Sequence, residues 1–338
     1  IAGLTKEADR RWLRHPCTGC QSLAEAVHAD AEDDETDEEK GRHAGHDAAD
    51  EGRWRDAGTA ILNRQVFSHQ AIQMKRFRLI LIVLATSCLW ISALEAATLS
   101  DVGKEQRWAT QVTDTLFDGE AVWLDAGGHQ FLGIDMPPTA GDTGRAAVVV
   151  HGIGVHPNWD QVIRPLRVGL AENGWHTLSI QMPVLPNDAE PMAYAPLFDE
   201  VTSRFNAAIE YLQSKGQDSL VVVAHSMGSS MTMRYLADSP ETPLMGAVLI
   251  GMNGRTDNSA YNRIDAFKKV KIPLLDLYGS DDLPDVVQYA ERKADAAAAA
   301  GIKDFSQVVV PGANHFFDGK EEQLLETVSK WLEGLAAP

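Results

Sequence analysis

Cysteine is nearly missing from this sequence, and its placement excludes more than its number does. The three cysteines, Cys17, Cys20 and Cys88, all fall in the first 88 of 338 residues. The rest of the chain therefore needs no redox assumption and would be at ease in an oxidising compartment. Cys17-Thr18-Gly19-Cys20, with His15 beside it, is a single C-x-x-C. It lacks the second pair of a zinc site and the strand pattern of a thioredoxin-like site, so no metal is assigned to it. Positive charge is also short. Thirty Lys and Arg face 48 Asp and Glu, giving a formal net charge of −18 and a pI near 5.0. That balance argues against a nucleic-acid backbone or an anionic lipid surface as the main partner. There is one long apolar run, Leu79 to Leu94, and no internal repeat.

The first 73 residues do not read as a folded domain. Asp30-Ala31-Glu32-Asp33-Asp34-Glu35-Thr36-Asp37-Glu38-Glu39 is an acidic run, followed by Gly-, His-, Asp- and Arg-rich sequence. Such a segment buries too little apolar surface to offset the entropy of ordering it, so residues 1–73 are expected to be disordered. They also begin at Ile1, which suggests upstream sequence joined to a reading frame starting at Met74.

From Met74 the pattern changes. Met74-Lys75-Arg76-Phe77-Arg78 is a basic flank, Leu79 to Leu94 is apolar, and Ala96-Ala97 supply small residues. This is the layout of a secretory signal peptide over 74–96, with an apolar core shorter than the roughly 20 residues that span a bilayer. Two other readings stay open. Leu84-Ala85-Thr86-Ser87-Cys88 faintly resembles a lipoprotein box, and an internal run could remain as an uncleaved anchor, the only routes expected to membrane contact. All three export residues 97–338, so a periplasmic or secreted location is expected. That part holds 18 basic and 32 acidic residues, so the acidity belongs to it and not only to the leader.

Residues 97–338 suit one α/β domain. Glu120–Leu124 and Gln130–Ile134 flank Gly127-Gly128 as a hairpin, and Ala146–Val150 is a buried strand. Helices are expected over Trp159 to about Glu172, Phe198–Lys215, Ser229–Ala237, Asp285–Ala300 and Lys320–Leu335. Strands are expected over Thr177–Gln181, Ser219–Val223, Gly246–Gly251, Pro273–Tyr278 and Gln307–Val310. This alternation implies a mostly parallel eight-stranded sheet with helices on both faces. Pro183 to Pro196 reads as a loop over one rim. No large cap domain is visible, although Met252 to Lys271 has the length of a short lid.

The most informative stretch is Leu220-Val221-Val222-Val223-Ala224-His225-Ser226-Met227-Gly228-Ser229-Ser230. Four apolar residues, three of them β-branched, form a buried strand. Small residues then open a helix, and Ala224-x-Ser226-x-Gly228 lies between the two. A serine on so tight a turn has its hydroxyl pushed out above the sheet edge, with small neighbours because the backbones pass close. This stretch resembles the nucleophile turn of the α/β-hydrolase superfamily, with Ala224 in place of the usual first glycine. The likeness covers roughly residues 115 to 337. His156-Pro157-Asn158-Trp159 is further similar to a family of uncharacterised bacterial exported α/β-hydrolases.

The resemblance implies a chain order of nucleophile, acid and histidine. Ser226 is then the nucleophile. His315 is the only histidine downstream of it and follows the last expected strand, where the base belongs. Gly279-Ser280-Asp281-Asp282 offers two carboxylates. The superfamily's arrangement favours Asp282, with Asp281 as the alternative and Asp276, inside the strand, a poorer candidate. The oxyanion donors implied are the backbone N–H of Met227 and that of Ile153 in His151-Gly152-Ile153-Gly154. His151 and His225 read as structural hydrogen-bonders. Met182, Met192, Tyr194, Met227, Met252, Phe316 and Phe317 are candidates for lining an acyl pocket, though such residues more often belong to a core.

The function expected is hydrolysis of a carboxylic ester or thioester through an acyl-enzyme, on a small-molecule or lipid substrate, with neither metal nor organic cofactor. An amidase or an acyltransferase would use the same triad. A non-catalytic envelope binding protein is the reading from a different class.

Overall fold

The computed structural model describes residues 98–254, 264–302 and 304–335. The acidic segment, the three cysteines and the signal layout lie outside the described residues, as does much of the Met252–Lys271 stretch. Among the described residues no helix is long and apolar enough to cross a membrane.

Eight strands form a single sheet: β1 (Glu120–Asp125), β2 (Gln130–Met136), β3 (Arg145–Val150), β4 (Trp175–Ile180), β5 (Ser219–His225), β6 (Leu244–Ile250), β7 (Leu274–Asp281) and β8 (Phe305–Asn314). Their spatial order is β1-β2-β4-β3-β5-β6-β7-β8. β1–β2 and β2–β4 are antiparallel, and every other pairing is parallel.

The period-2 rule splits each central strand between two cores. Val148, Val150, Val222, Ala224, Ala247 and Leu249 face α3 (Val201–Ser214) and α4 (Met227–Asp238). Ala147, Val221, Val223, Val248 and Ile250 face the other way, against α2 (Ile163–Glu172) and α7 (Glu321–Glu333). The strands are buried on both faces, which is why they read as continuous Val, Leu and Ile runs.

Several bounds differ from expectation for local reasons. The helix expected from Trp159 starts only at Ile163, because Val162 takes φ +60° and closes a turn through Ile163 N–H to Gln161 O. Pro196 sits in a 3₁₀ stretch, Pro191–Glu200, and regular α3 begins after it. That stretch also replaces part of the loop expected over Pro183–Pro196. The Asp285–Ala300 helix is divided into α5 (Pro284–Val287) and α6 (Ala290–Ala300). β8 runs on through Pro311, which an edge strand tolerates.

One element was not anticipated at all. Helix α1 (Val102–Thr115), capped where Asp101 accepts from Lys104 N–H at 2.9 Å, packs Ala109 and Val112 on Leu132 and Ile134 of β2. No cap domain is present among the described residues. Of the pocket-lining candidates, Met182, Tyr194, Met252 and Phe317 are buried, and Met192 is exposed.

Candidate active site

The chain leaves β3 for β4 on one side of it and returns to β5 on the other. At such a switch point the loops leaving the two central strands diverge, and a crevice opens at the carboxyl ends. Val150 pairs with Ala224, so His151-Gly152 and Ser226 emerge side by side. A Cβ placed on Gly152 would lie 3.0 Å from Ser226 Cβ, so the first loop rests directly on the serine.

Ser226 ends β5 and opens α4 with φ +56° and ψ −121°. For a residue with a side chain this is a strained backbone, of the kind that costs about 1–3 kcal/mol and persists only when its surroundings enforce it. Here they do. Ser226 N–H donates to Ile250 O at 2.7 Å, and the Ser229 hydroxyl donates to Ala224 O at 2.8 Å. A Cβ on Gly228 would come within 2.4 Å of His151 O, so only glycine fits there. Ala224, by contrast, is fully buried in the strand, and its methyl group is absorbed by the core.

The other two groups arrive from the ends of β7 and β8. Asp281 pairs with Asn314 across those strands, which brings the next residues, Asp282 and His315, together. His315 sits in a turn held by Asn314, whose Oδ1 accepts from Phe316 N–H and Asp318 N–H, each at 3.1 Å. The result is a continuous line of hydrogen bonds. His315 Nδ1 lies 2.6 Å from Asp282 Oδ1, and His315 Nε2 lies 2.9 Å from Ser226 Oγ. A carboxylate can only accept, so Nδ1 carries the proton and Nε2 is left to accept from the serine hydroxyl.

Asp282 is buried and accepts further from Leu283 N–H at 2.7 Å. Burial pushes its carboxyl upward. The hydrogen bond and charge of His315, with the Leu283 and Gly279 amides, outweigh this and hold it below the usual carboxylate value. Asp281 is exposed and turned toward Ser280, away from this line.

Asp276 belongs elsewhere. It is fully buried and ion-paired to Lys293 Nζ at 2.7 Å, with Gln307 Nε2 at 2.8 Å. Lys293 also donates to Met252 O at 3.0 Å, at the end of β6. Sequence reasoning missed this pair. Its signal was a lone aspartate inside an apolar strand, which needs a buried cation somewhere.

The two histidines beside the serine turn, His151 and His225, touch neither Ser226 Oγ nor Asp282 in this line of hydrogen bonds. Burial lowers both His151 and His225 to about 3, so they stay neutral. The His225 Nε2–H donates to His315 O at 2.9 Å and so supports the backbone of the third group. Met227 is the first residue of α4, where the N–H has no partner within the helix and the helix end carries partial positive charge. Ile153 is half-buried on the loop that follows Gly152. Among the described residues no group of three or more His, Cys, Asp or Glu could hold a metal ion.

The profile of a family described as a protein of unknown function, DUF3530, matches residues 20–199 and 196–334. The chain belongs to that family. Solved structures extend the comparison to the fold. Est1E from Butyrivibrio proteoclasticus is similar with a TM-score of 0.51 at 15% identity, over 64% of this chain and 98% of that one. A dienelactone hydrolase from Anabaena variabilis has a TM-score of 0.51 at 21% identity, over 64% and 97%. An alpha-beta serine hydrolase homologue from Coxiella burnetii has a TM-score of 0.51 at 16% identity, over 65% and 99%. A search of curated proteins finds no match. This DUF3530 member thus has the α/β-hydrolase fold, which it shares with a dienelactone hydrolase and a serine hydrolase homologue.

Proposed function

We propose that the chain is an exported serine hydrolase that cleaves a carboxylic ester or thioester through an acyl-enzyme. The observation that carries this reading is the unbroken line from Ser226 Oγ through His315 to buried Asp282, with steps of 2.9 and 2.6 Å. Ser226 attacks the carbonyl carbon while His315 Nε2 takes its proton. Asp282 stabilises the resulting imidazolium and holds its orientation. The negative oxygen of the tetrahedral intermediate is stabilised by the Met227 and Ile153 amides. Collapse expels the alcohol or thiol, which receives the proton from His315. Water, deprotonated by the same imidazole, then attacks the acyl-enzyme and releases the acid. This chemistry draws on no metal or organic cofactor.

Fold neighbours described as a dienelactone hydrolase and a serine hydrolase homologue support hydrolysis as the reaction class, and the Met74–Ala97 layout supports export to the periplasm or beyond. The substrate is taken to be a small-molecule or lipid ester. The direct test is labelling of the purified protein by a fluorophosphonate, with Ser226→Ala and His315→Ala as controls. Labelling of wild type alone is expected. A folded wild type that stays unlabelled would refute an activated serine.

A further inference from the structure

His151 is fully buried, and its ring makes contacts that admit one tautomer. Its Nδ1 lies 2.8 Å from Gly152 O, which can only accept, so Nδ1 carries the proton. Its Nε2 faces Met182 N–H at 2.9 Å and Gln181 Nε2 at 3.0 Å, both donors, so Nε2 carries none. Gly152 O and the N–H of Ile153 belong to the same trans peptide and point in opposite directions. Holding that oxygen therefore aims that N–H.

We propose that His151 is a positioning residue that sets the Gly152–Ile153 peptide plane, and that helix α1 holds it through Glu105 and Arg204. The support is continuous. Arg204 on α3 is almost fully buried and donates from Nη1 to Gln181 O at 2.8 Å. That contact fixes the backbone whose next amide, Met182 N–H, points at His151. Gln181 is itself steadied where its Nε2 donates to Met182 O at 2.7 Å.

Arg204 is in turn gripped by both oxygens of Glu105, at 2.8 and 3.1 Å. A fork of this kind fixes direction as well as charge. Glu105 also accepts from Ser100 and lies 3.1 Å from His129 Nε2, so its carboxylate has no freedom to turn. The segment before the first strand thus becomes part of the scaffold beneath the oxyanion loop, although it contributes no atom to the site.

This inference rests on the acyl-enzyme reading, and the test separates the two. Hydrolysis of p-nitrophenyl acetate and fluorophosphonate labelling are measured on wild type, His151→Leu and His151→Asn. The leucine variant is expected to lose about 10²-fold in kcat, the order seen when one oxyanion donor is removed, with KM within about twofold. The asparagine variant keeps an N–H where Nδ1–H stood and is expected to regain at least about tenfold of that loss.

A folded His151→Leu protein with wild-type kcat, or an asparagine variant no better than leucine, would overturn the assignment alone. A wild type inert to both ester and probe would overturn the catalytic reading and this one with it. Should the leucine variant fail to fold, the imidazole ¹⁵N spectrum of wild type decides. A His151 signal in the Nδ1–H form from pH 5 to 8 supports the assignment. The Nε2–H form, or averaging between the two, refutes it.

Discussion

Lys293→Met tests how the end of β6 is held beside the site. Lys293 and Asp276 are both fully buried and joined at 2.7 Å, and Lys293 also binds Met252 O at 3.0 Å. Methionine preserves the length of the stem and removes the charge. Asp276 would then keep only the Gln307 amide, and the Met252 carbonyl would lose this donor. Breaking a buried pair on one side costs about 3–5 kcal/mol, since it strands the other charge. At roughly 2–4 °C per kcal/mol for a domain of this class, the melting temperature should fall by about 10 °C.

The pH dependence gives a second, independent sign. Burial already raises Asp276 above the usual carboxylate value, against the pull of Lys293. Without the lysine it rises further. An acid whose folded value exceeds its unfolded value binds protons more tightly when folded, so the deficit should shrink toward acid and widen toward neutral pH. The assay is thermal unfolding of both proteins from pH 5 to 8, with Asp276→Leu/Lys293→Met as the control. That double variant, with no charge left to strand, should recover most of the loss. A Lys293→Met protein melting within 2 °C of wild type at pH 7, or a deficit that grows toward acid, would refute the reasoning.

Two further predictions concern the site itself. Asp282→Asn should lower kcat by about 10³–10⁴-fold by favouring the wrong imidazole tautomer, whereas Asp281→Asn should stay within twofold; equal losses in ester turnover would contradict the placement of Asp282. At Gly251, φ is +59° and an added Cβ would lie 2.9 Å from His315 Cε1. Gly251→Ala should therefore cost about 1–2 kcal/mol in backbone strain and more than tenfold in kcat by displacing the imidazole. Unchanged kcat in a variant destabilised by that amount would show that His315 tolerates the shift.

Much of the fold was legible because its strands are buried on both faces and its turns demand small residues. Leu220–Val223 could hardly be anything but a core strand, and Gly228 could hardly be anything larger, given the carbonyls 2.4 and 2.8 Å from where its Cβ would stand. Helix α1 was not legible in the same way. It covers only the β2 end of the sheet with Ala109 and Val112, and few of its fourteen residues are apolar, though Asp101 stood ready as a cap. Helix starts at Ile163 and Val201 were misjudged where a positive-φ valine and a proline overrode the apolar period.

By itself, then, the sequence determined the class of fold and the strand–serine–helix turn, since these follow from local periodicity and from residue types along one chain, while the proposed order of nucleophile, acid and base is what the resemblance implies. Only the tertiary structure shows that Asp282, which the resemblance favoured, and not Asp281 meets His315. The choice depends on which of two adjacent side chains the β7–β8 register turns inward to His315, and adjacent positions in an extended strand face opposite ways. It alone joined Asp276 to Lys293 and Glu105 to Arg204. Those partners lie 17 and 99 residues apart, and no local pattern records a contact that exists only because burial forces each charge to find its counter-charge.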